Sequence, residues 1–436
     1  MNMTEKVVRD IICPLCGCCC DDIEAVVQDN KIIAVRNSCE LSAHKFMRTY
    51  ENRLTKPYVR ENGTVKYISI DEAAEKIAMM LINAKKPLLY GWSSTTCEAT
   101  EVGIELAEEV GGVIDNTSTV CHGPSVLAIQ NVGWSSCTLG EVKNRADLII
   151  YWGSNPFHAH PRHMSRYSLF PRGFFRERGL EDRILIVVDT RKTDTAKLAD
   201  YFIQVQPNKD YELISAFRMA VRGIEIPYKE VAGVPREEIY KITELMKKCH
   251  FGALFFGQGL TMSEGKHRNI DNAISLVTDL HIHTKFIIML MRGHFNVTGA
   301  NETLTWLTGY PFAVDFSQGY PRYNPGDTSA NDILMNGECD AAFVIASDPV
   351  AHFPKKAVQH LAKIPLAVVD PFESLTSSIA KIVIPSTISG IEAEGTVYRM
   401  DFLPLRLRKV IEPPEGALSD HEIVTKILGK VRELKA

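Results

Sequence analysis

Three segments of this chain recur in the same order, and that order limits the fold more than any other feature of its 436 residues. Pro87-Leu-Leu-Tyr-Gly91 matches Ala253-Leu-Phe-Phe-Gly257, and YWGSNPFHAHP (151–161) matches VIASDPVAHFP (344–354). VVDTRKTDTAKLADYFI, ending at Ile203, matches VVDPFESLTSSIAKIVI, ending at Ile384, without a gap. Asp189 then falls over Asp370, Thr195 over Thr376 and Ala199 over Ala380. Short apolar runs bounded by turn residues read as buried strands. The flanking segments keep the same rhythm. DEAAEKIAMMLINA reads as an amphipathic helix with Asp71 near its start, KPLLYGW as a strand ending at Gly91, and EATEVGIELAEEVGG as a helix closed by Gly111 and Gly112. Such alternation implies α/β architecture with parallel sheets covered by helices. The duplication implies two pseudo-symmetric, doubly wound, Rossmann-like domains, expected at 56–240 and 241–436 with room for interleaving. Their clefts should lie outside the carboxyl ends of the strands.

Five cysteines crowd the start of the chain: Cys13, Cys16, Cys18, Cys19 and Cys20, with Cys39 following. Choosing Cys13, Cys16, Cys20 and Cys39 gives C-x2-C-x3-C-x18-C, a set of thiolates suited to an Fe–S cluster or to zinc. IEAVVQDNKIIAVRN between them reads as a hairpin turning at Asp29-Asn30, which would carry Cys39 back to the first loop. Residues 1–55 are therefore expected to form a small module stapled by metal. Cys97, Cys137, Cys249 and Cys339 stand singly and read as inert or buried thiols.

Composition narrows the function classes. The net charge of −4 leaves no electrostatic footprint for nucleic acid. The one dense basic run, Arg172 to Arg178, reads as a loop or subunit contact. No apolar stretch has the length of a membrane span, and no basic start leads into an apolar leader. A cytoplasmic location is the expectation, and cysteines in that setting are read as metal-binding or catalytic before disulfide.

Each repeat carries a strand followed by a small polar turn, Gly153-Ser154-Asn155-Pro156 and Ala346-Ser347-Asp348-Pro349. Small residues let backbone N–H groups approach a phosphate. Asp189 and Asp370 end the next strand, where a carboxylate receives ribose hydroxyls in comparable folds. Ordinary turn chemistry explains the same residues equally well. The duplication suggests two nucleotide-like ligands, one per half. Cys121-His122 follows a strand in the first half, and Arg292-Gly293-His294 follows one in the second. Pseudo-symmetry would bring these strand ends face to face across one cleft. Arg292 could fork onto a small carboxylate, Cys121 could ligate a soft metal, and His122 could relay protons. The alternative leaves Cys121 buried and His122 as a core or capping residue.

Taken together, C-x2-C-x3-C…C, CHGPSV, the G-x-NP turn, VVD-x-R-x-T-x-T-A (with Arg191 and Thr193) and MRG-x-x-NVTGAN resemble the molybdopterin oxidoreductases. VCHGPSV resembles the metal-ligand loop of formate dehydrogenases. NRADLIIYWGSNPFHAHPRHMSRYS, FFRERGLEDRILIVVDTRKTDTAKLAD and GHFNVTGANETLTWLTGYPFAVDFSQGYPRYNPG are closer still to the B subunits of formylmethanofuran dehydrogenases. The resemblance covers nearly the whole chain.

It implies a [4Fe–4S] cluster on Cys13, Cys16, Cys20 and Cys39. It further implies tungsten or molybdenum held by Cys121 and by two molybdopterin guanine dinucleotides. Gly153, Asn155, Asp189 and Asp210 would contact one dinucleotide, with Asp210 reading its guanine, and Gly257, Asp348 and Asp370 the other. Ser154, Pro156, Arg191, Thr193 and His294 would also bind these cofactors, with Lys45 between cluster and pterin. The implied reaction is two-electron reduction of CO2 to formate with Cys121, His122 and Arg292 at the centre, fed by a ferredoxin. Formate would pass to an amidohydrolase-like partner subunit for condensation with methanofuran, the first step of methanogenesis from CO2.

Single-chain formate dehydrogenases are longer and end in a pterin-capping β-barrel. This chain has no such segment after EAEGTVYRMDFLPLRLRKVIEPP and the helix DHEIVTKILGKVRELK, so the cap is expected from a partner subunit. Cys18 and Cys19 are extra thiols, and either could replace Cys20. The competing expectations are a formate dehydrogenase module of another complex, a non-redox structural subunit of a formyltransferase/hydrolase complex, and a zinc-stapled scaffold.

Overall fold

A computed structural model describes residues 5–436. Strands β1 (Lys6–Ile11), β2 (Ile23–Gln28) and β3 (Lys31–Arg36) form an antiparallel sheet in that order. The β2–β3 hairpin turns at Asp29 and Asn30, both with positive φ, where Asn and Asp tolerate the left-handed conformation best. Helix α1 (Glu40–Met47) follows, with Cys39 as its N-cap. The hairpin thus does what its sequence suggested and returns Cys39 to the cysteine loop.

Next come β4 (Tyr58–Glu61), β5 (Thr64–Tyr67), α2 (Ile70–Asn83), β6 (Pro87–Gly91), α3 (Cys97–Glu109) and β7 (Val113–Asn116). Helix α2 starts at Ser69, whose side chain accepts the Glu72 N–H, and buries Ala73, Ala74, Ile77, Ala78 and Leu81. That 3–4 spacing is the apolar stripe of a helix lying on a sheet. A 3-10 turn, Thr117–Val120, then leads to α4 (Gly123–Val132). Strands β8 (Leu148–Trp152), β9 (Ile184–Asp189), β10 (Tyr201–Gln204), the two-residue β11 and β12 (Glu230–Val231, Val234–Pro235), β13 (Phe251–Phe256) and β14 (Lys285–Leu290) come next. Beyond them lie β15 (Val314–Asp315), β16 (Arg322–Tyr323), β17 (Ala341–Ile345), β18 (Leu366–Val369), β19 (Ile382–Ile384), the hairpin β20–β21 (Gly395–Tyr398, Pro404–Leu407) and a C-terminal helix, Asp420–Lys435.

The chain divides into two compact units. The first comprises residues up to Val120, His294–Arg399 and Pro404–Ala436; the second comprises Cys121–Gly293 and Met400–Leu403. The first unit's main sheet runs β16-β15-β7-β6-β17-β18-β19-β4-β5, with a parallel centre from β7 to β19. The second unit's sheet runs β10-β9-β8-β13-β14 and is parallel throughout. Written outward from β7 and from β14, the two parallel orders correspond: β7-β6-β17-β18-β19 and β14-β13-β8-β9-β10.

The repeat is therefore present, but its members have traded places. Of the segments 87–91, 344–354 and 368–384, the first belongs in sequence to the first half, yet β6 pairs with β17 of the second. Its counterpart β13 pairs with β8 of the first half. This corrects the expected boundary near 240: a cut there would separate hydrogen-bonded neighbours in both sheets. The first unit buries its sheet between two apolar clusters, one including Ile77, Trp92 and Phe343, the other Tyr90, Val344 and Phe353. The second unit is organised around Trp152, Phe217, Phe256 and Leu276. Among the described residues no helix is long and apolar enough to cross a membrane.

Candidate functional site

In the second unit the peptide between the 3-10 turn and α4 presents Cys121, whose side chain is partly exposed. The Gln258 amide donates to Cys121 Sγ at 3.3 Å, and Thr261 Oγ1 donates to the Cys121 carbonyl at 3.0 Å. Burial raises the thiol above its ordinary pKa; the Gln258 amide, the Arg292 charge and the Gly293 N–H all pull it down. Those three groups would stabilise a thiolate, the form that binds metal. Gln258 and Thr261 escaped the sequence reading. The only signal was their position one and four residues beyond Gly257, at the end of a repeated strand.

Arg292 follows β14 and is buried at 2% exposure. Its guanidinium carbon lies 5.7 Å from the Phe402 ring centroid. Cys121 and Arg292 converge as expected, but within one unit and not as contributions from two halves, because β13 and β14 joined the sheet of β8. His122 is 1% exposed, with Nε2 3.1 Å from the Met291 carbonyl and Nδ1 3.0 Å from Ser125 Oγ. Burial, aided by the Arg292 charge, holds its pKa down at about 3. Both ring nitrogens therefore have protein partners, one of them the backbone just before Arg292.

The turn after β8 is set by Gly153 at φ +54. A Cβ on Gly153 would sit 2.7–2.8 Å from backbone atoms of Gly259 and Leu260, and one on Gly257 would sit 2.7 Å from the Gly153 carbonyl oxygen. The ends of β8 and β13 approach too closely for side chains. Gly257 thus belongs with Gly153 in the second unit, and its expected pairing with Asp348 and Asp370 is corrected. Asn155 is committed to the turn, since its Oδ1 accepts from Thr195 Oγ1 at 2.6 Å. Asp348 does the same in the first unit, accepting from Thr376 Oγ1 at 2.6 Å and from Thr376 N–H at 2.9 Å. In both turns a side-chain oxygen is committed to the following threonine. Ser154 and Pro156 are buried in the same turn.

Asp210, at the start of the helix Asp210–Val221, is buried and accepts from the Trp152 indole at 2.8 Å. Asp189 is close enough for its charge to raise the Asp210 pKa, though burial is the larger cause. Arg191 N–H donates to Asp189 Oδ1 at 3.3 Å, and Thr193 Oγ1 accepts from Ala196 N–H at 3.1 Å. Asp189 and Asp210 form an acidic edge at the carboxyl ends of β8 and β9.

In the first unit, a cavity of about 130 Å³ is lined by Lys45, Phe295, Asp370, Thr387 and Asp420, among others. Lys45 Nζ donates to the Pro14 carbonyl of the cysteine loop at 2.6 Å and lies 5.5 Å from the Phe295 ring centroid. Burial in this cavity pushes the Asp370 carboxyl up to about 7. Thr387 Oγ1 is buried with no protein partner, so the cavity has a polar group left to engage a ligand. His294 is exposed, with Nδ1 3.4 Å from Thr117 Oγ1.

The cysteine loop is tied by Cys13 N–H to the Cys20 carbonyl (2.9 Å) and Cys19 N–H to the Cys16 carbonyl (3.0 Å). Cys13 Sγ is 3.1 Å from Ser42 Oγ, and Ser42 N–H donates to Cys39 Sγ at 3.4 Å, so both thiols meet at the head of α1. Cys19 Sγ instead donates to the Phe295 carbonyl at 3.1 Å and packs with Ile12, Val397 and Leu407. Cys19 nevertheless lies near Cys13, Cys16 and Cys20, as Cys18 lies near Cys16 and Cys20. Burial drives the Cys13 thiol up to about 12; a bound cation would reverse that, since metals deprotonate coordinating thiols outright. Among the described residues no three His, Cys, Asp or Glu side chains already converge as around one bare ion.

The molybdopterin oxidoreductase family model matches residues 53–430. A protein of Methanocaldococcus jannaschii, named as the B subunit of tungsten-containing formylmethanofuran dehydrogenase 2, is 60% identical over 433 residues, covering 98% of this chain and 99% of that one. Among solved structures, acetylene hydratase from Pelobacter acetylenicus aligns with a TM-score of 0.76 at 13% identity, over 98% of this chain and 69% of that one. A chain of the formyltransferase/hydrolase complex from Methylorubrum extorquens, solved with methylofuran, aligns with a TM-score of 0.70 at 19% identity, over 87% and 99%.

Proposed function

The chain belongs to the molybdopterin oxidoreductase family and, within it, to the formylmethanofuran dehydrogenase B subunits, and from that premise we propose that it is the redox subunit reducing CO2 to formate, reversibly. The observation that carries the reading is a partly exposed thiol, Cys121, met by an amide, a backbone N–H and a buried guanidinium within one unit. Those neighbours suit both a thiolate bound to a soft metal and a small carboxylate beside it.

Cys121 would hold tungsten or molybdenum together with two pterin guanine dinucleotides. When bound, that centre supplies the two-electron couple. The chain's own contribution is positional and electrostatic. Gln258 and the Gly293 N–H hold Cys121 Sγ, and the Arg292 fork orients the two oxygens of CO2 or formate. Asp189 and Asp210 would receive the ribose and guanine of one dinucleotide, with Arg191 and Thr193 shaping the loop. Lys45, Asp370, Thr387 and His294 would receive the pterin of the other. Cys13, Cys16, Cys20 and Cys39 would hold a [4Fe–4S] cluster, which would supply electron exchange with a ferredoxin, and Lys45 joins the cysteine loop to the cavity. Formate would leave for an amidohydrolase-like subunit, and another subunit would supply the pterin cap. A chain with eleven cysteines, five of them proposed as metal ligands, accords with a reducing cytoplasm.

The fold shared with the formyltransferase/hydrolase chain keeps a non-redox structural role as the competing reading. Anaerobic purification with partners, elemental analysis and Cys121→Ala decide between them. The variant is expected to lose CO2 reduction and bound tungsten or molybdenum while keeping its iron. Parallel loss of iron would mean a folding defect, and wild-type protein without tungsten, molybdenum or cluster absorbance would favour the structural role.

A further inference from the structure

His160 lies outside the groups assigned to the centre, yet it is 2% exposed and its Nε2 lies 2.7 Å from the carbonyl oxygen of Arg292. One residue earlier, the Met291 carbonyl takes His122 Nε2 at 3.1 Å. Two imidazoles therefore grip consecutive carbonyls of the segment that aims the guanidinium. A neutral ring donating from Nε2 must carry its proton there, and burial keeps His160 neutral.

The duplication supplies an internal control. In the repeated segments 151–161 and 344–354, His160 falls over Phe353. Phe353 fills its position with hydrocarbon, packing on Tyr90 with ring centroids 4.9 Å apart. The same turn thus accepts an apolar side chain at this site, and packing alone does not call for a histidine. The local structure then fixes where the ring sits. His160 N–H donates to the Pro156 carbonyl at 2.9 Å, and His163 N–H donates to the His160 carbonyl at 2.8 Å. His163 is anchored by Tyr151, whose hydroxyl is 2.8 Å from Nδ1 and 2.7 Å from Ser168 Oγ. The following Met164–Ser168 turn is a π-helix, a form frequently retained at functional sites.

We infer that His160 is a positioning residue for Arg292, holding the 291–292 backbone together with His122 so that the guanidinium presents its fork to a carboxylate-like substrate. This rests on the reading of Arg292 as the substrate's anchor.

The test uses the purified complex with His160→Phe, the duplicate's own side chain, and His160→Gln, whose amide nitrogen can still donate to the carbonyl. Formate affinity is measured by equilibrium dialysis of labelled formate against the oxidised complex, beside KM and kcat for CO2 reduction. His160→Phe should assemble with wild-type metal content, yet bind formate at least about fivefold more weakly, the scale of one lost hydrogen bond. The rise in KM should exceed the fall in kcat, and His160→Gln should recover most of the affinity. Wild-type formate affinity in assembled His160→Phe, or equal losses in the Phe and Gln variants, would overturn the inference. If His160→Phe does not assemble, His160→Met is read by the same criteria. Failure of the wild-type complex to bind formate at all would instead refute the functional reading beneath it.

Discussion

Arg292 concentrates the residue-scale argument, because its charge is buried and its backbone is pinned by two histidines. A lysine would keep the charge and lose the planar fork. Arg292→Lys is expected to lower kcat/KM for CO2 or formate by roughly 10- to 100-fold, as misplacement of a bound substrate does, with metal content unchanged. Steady-state kinetics on the assembled complex check it. The same pinning has a pH consequence. His160 is kept neutral by burial, so its folded pKa lies below the ordinary 6.5. A depressed histidine pKa means the unfolded chain binds protons that the folded chain refuses. The stability tied to His160 is therefore fully present above 6.5 and is lost as pH falls below it. Melting temperatures taken between about pH 7.5 and 5.5 should fall more steeply for wild type than for His160→Gln.

At the scale of elements, the repeated turns give the closest comparison. Asn155 and Thr195 after β8 have the same geometry as Asp348 and Thr376 after β17, down to a 2.6 Å hydroxyl bond in each. A backbone N–H two residues further on also donates to that hydroxyl in both turns, Phe157 at 3.2 Å and Val350 at 3.1 Å. Thr376 is wholly buried, so Thr376→Val should cost about 1–3 kcal/mol, the penalty for stranding buried polar partners. Thr376→Ser should be much milder. Denaturant midpoints of the purified variants measure both.

This is also where the sequence was most legible. Aligning Thr195 over Thr376 located two equivalent turns before any coordinates. It did not show that Asn155 Oδ1 and Asp348 Oδ1 each accept from those threonines. A carboxylate at a strand end looks the same in sequence whether it faces a ribose or a neighbouring hydroxyl. Gln258 was illegible for a related reason: its contact with Cys121 spans 137 residues, and nothing local in QGLT marks it.

The molecule as a whole is governed by the strand exchange, which the order of the repeats concealed. Sequence order places the segment containing β6 and β8 before the segment containing β13 and β17, and the simplest reading folds each by itself. Pairing goes the other way. β8 has β13 on one side and β9 on the other; β6 has β17 and β7. The chain passes from one unit to the other after Val120 and back after Gly293. Those points follow β7 and β14, which hold equivalent places in the two sheets. A fragment of residues 121–293 therefore contains every strand of a complete five-stranded parallel sheet, with its core of Trp152, Phe217, Phe256 and Leu276. A fragment of residues 56–240 contains β8 to β10 without β13, and β6 and β7 without β17. Parallel sheets need both faces and their central neighbours covered to be stable. The first fragment is expected to show native-like far-UV circular dichroism and one cooperative thermal transition. The second should melt without cooperativity or aggregate, as chains with unpaired strand edges do. Equal cooperativity in both fragments would mean that the exchange contributes little to folding and that each half of the sequence carries its own core.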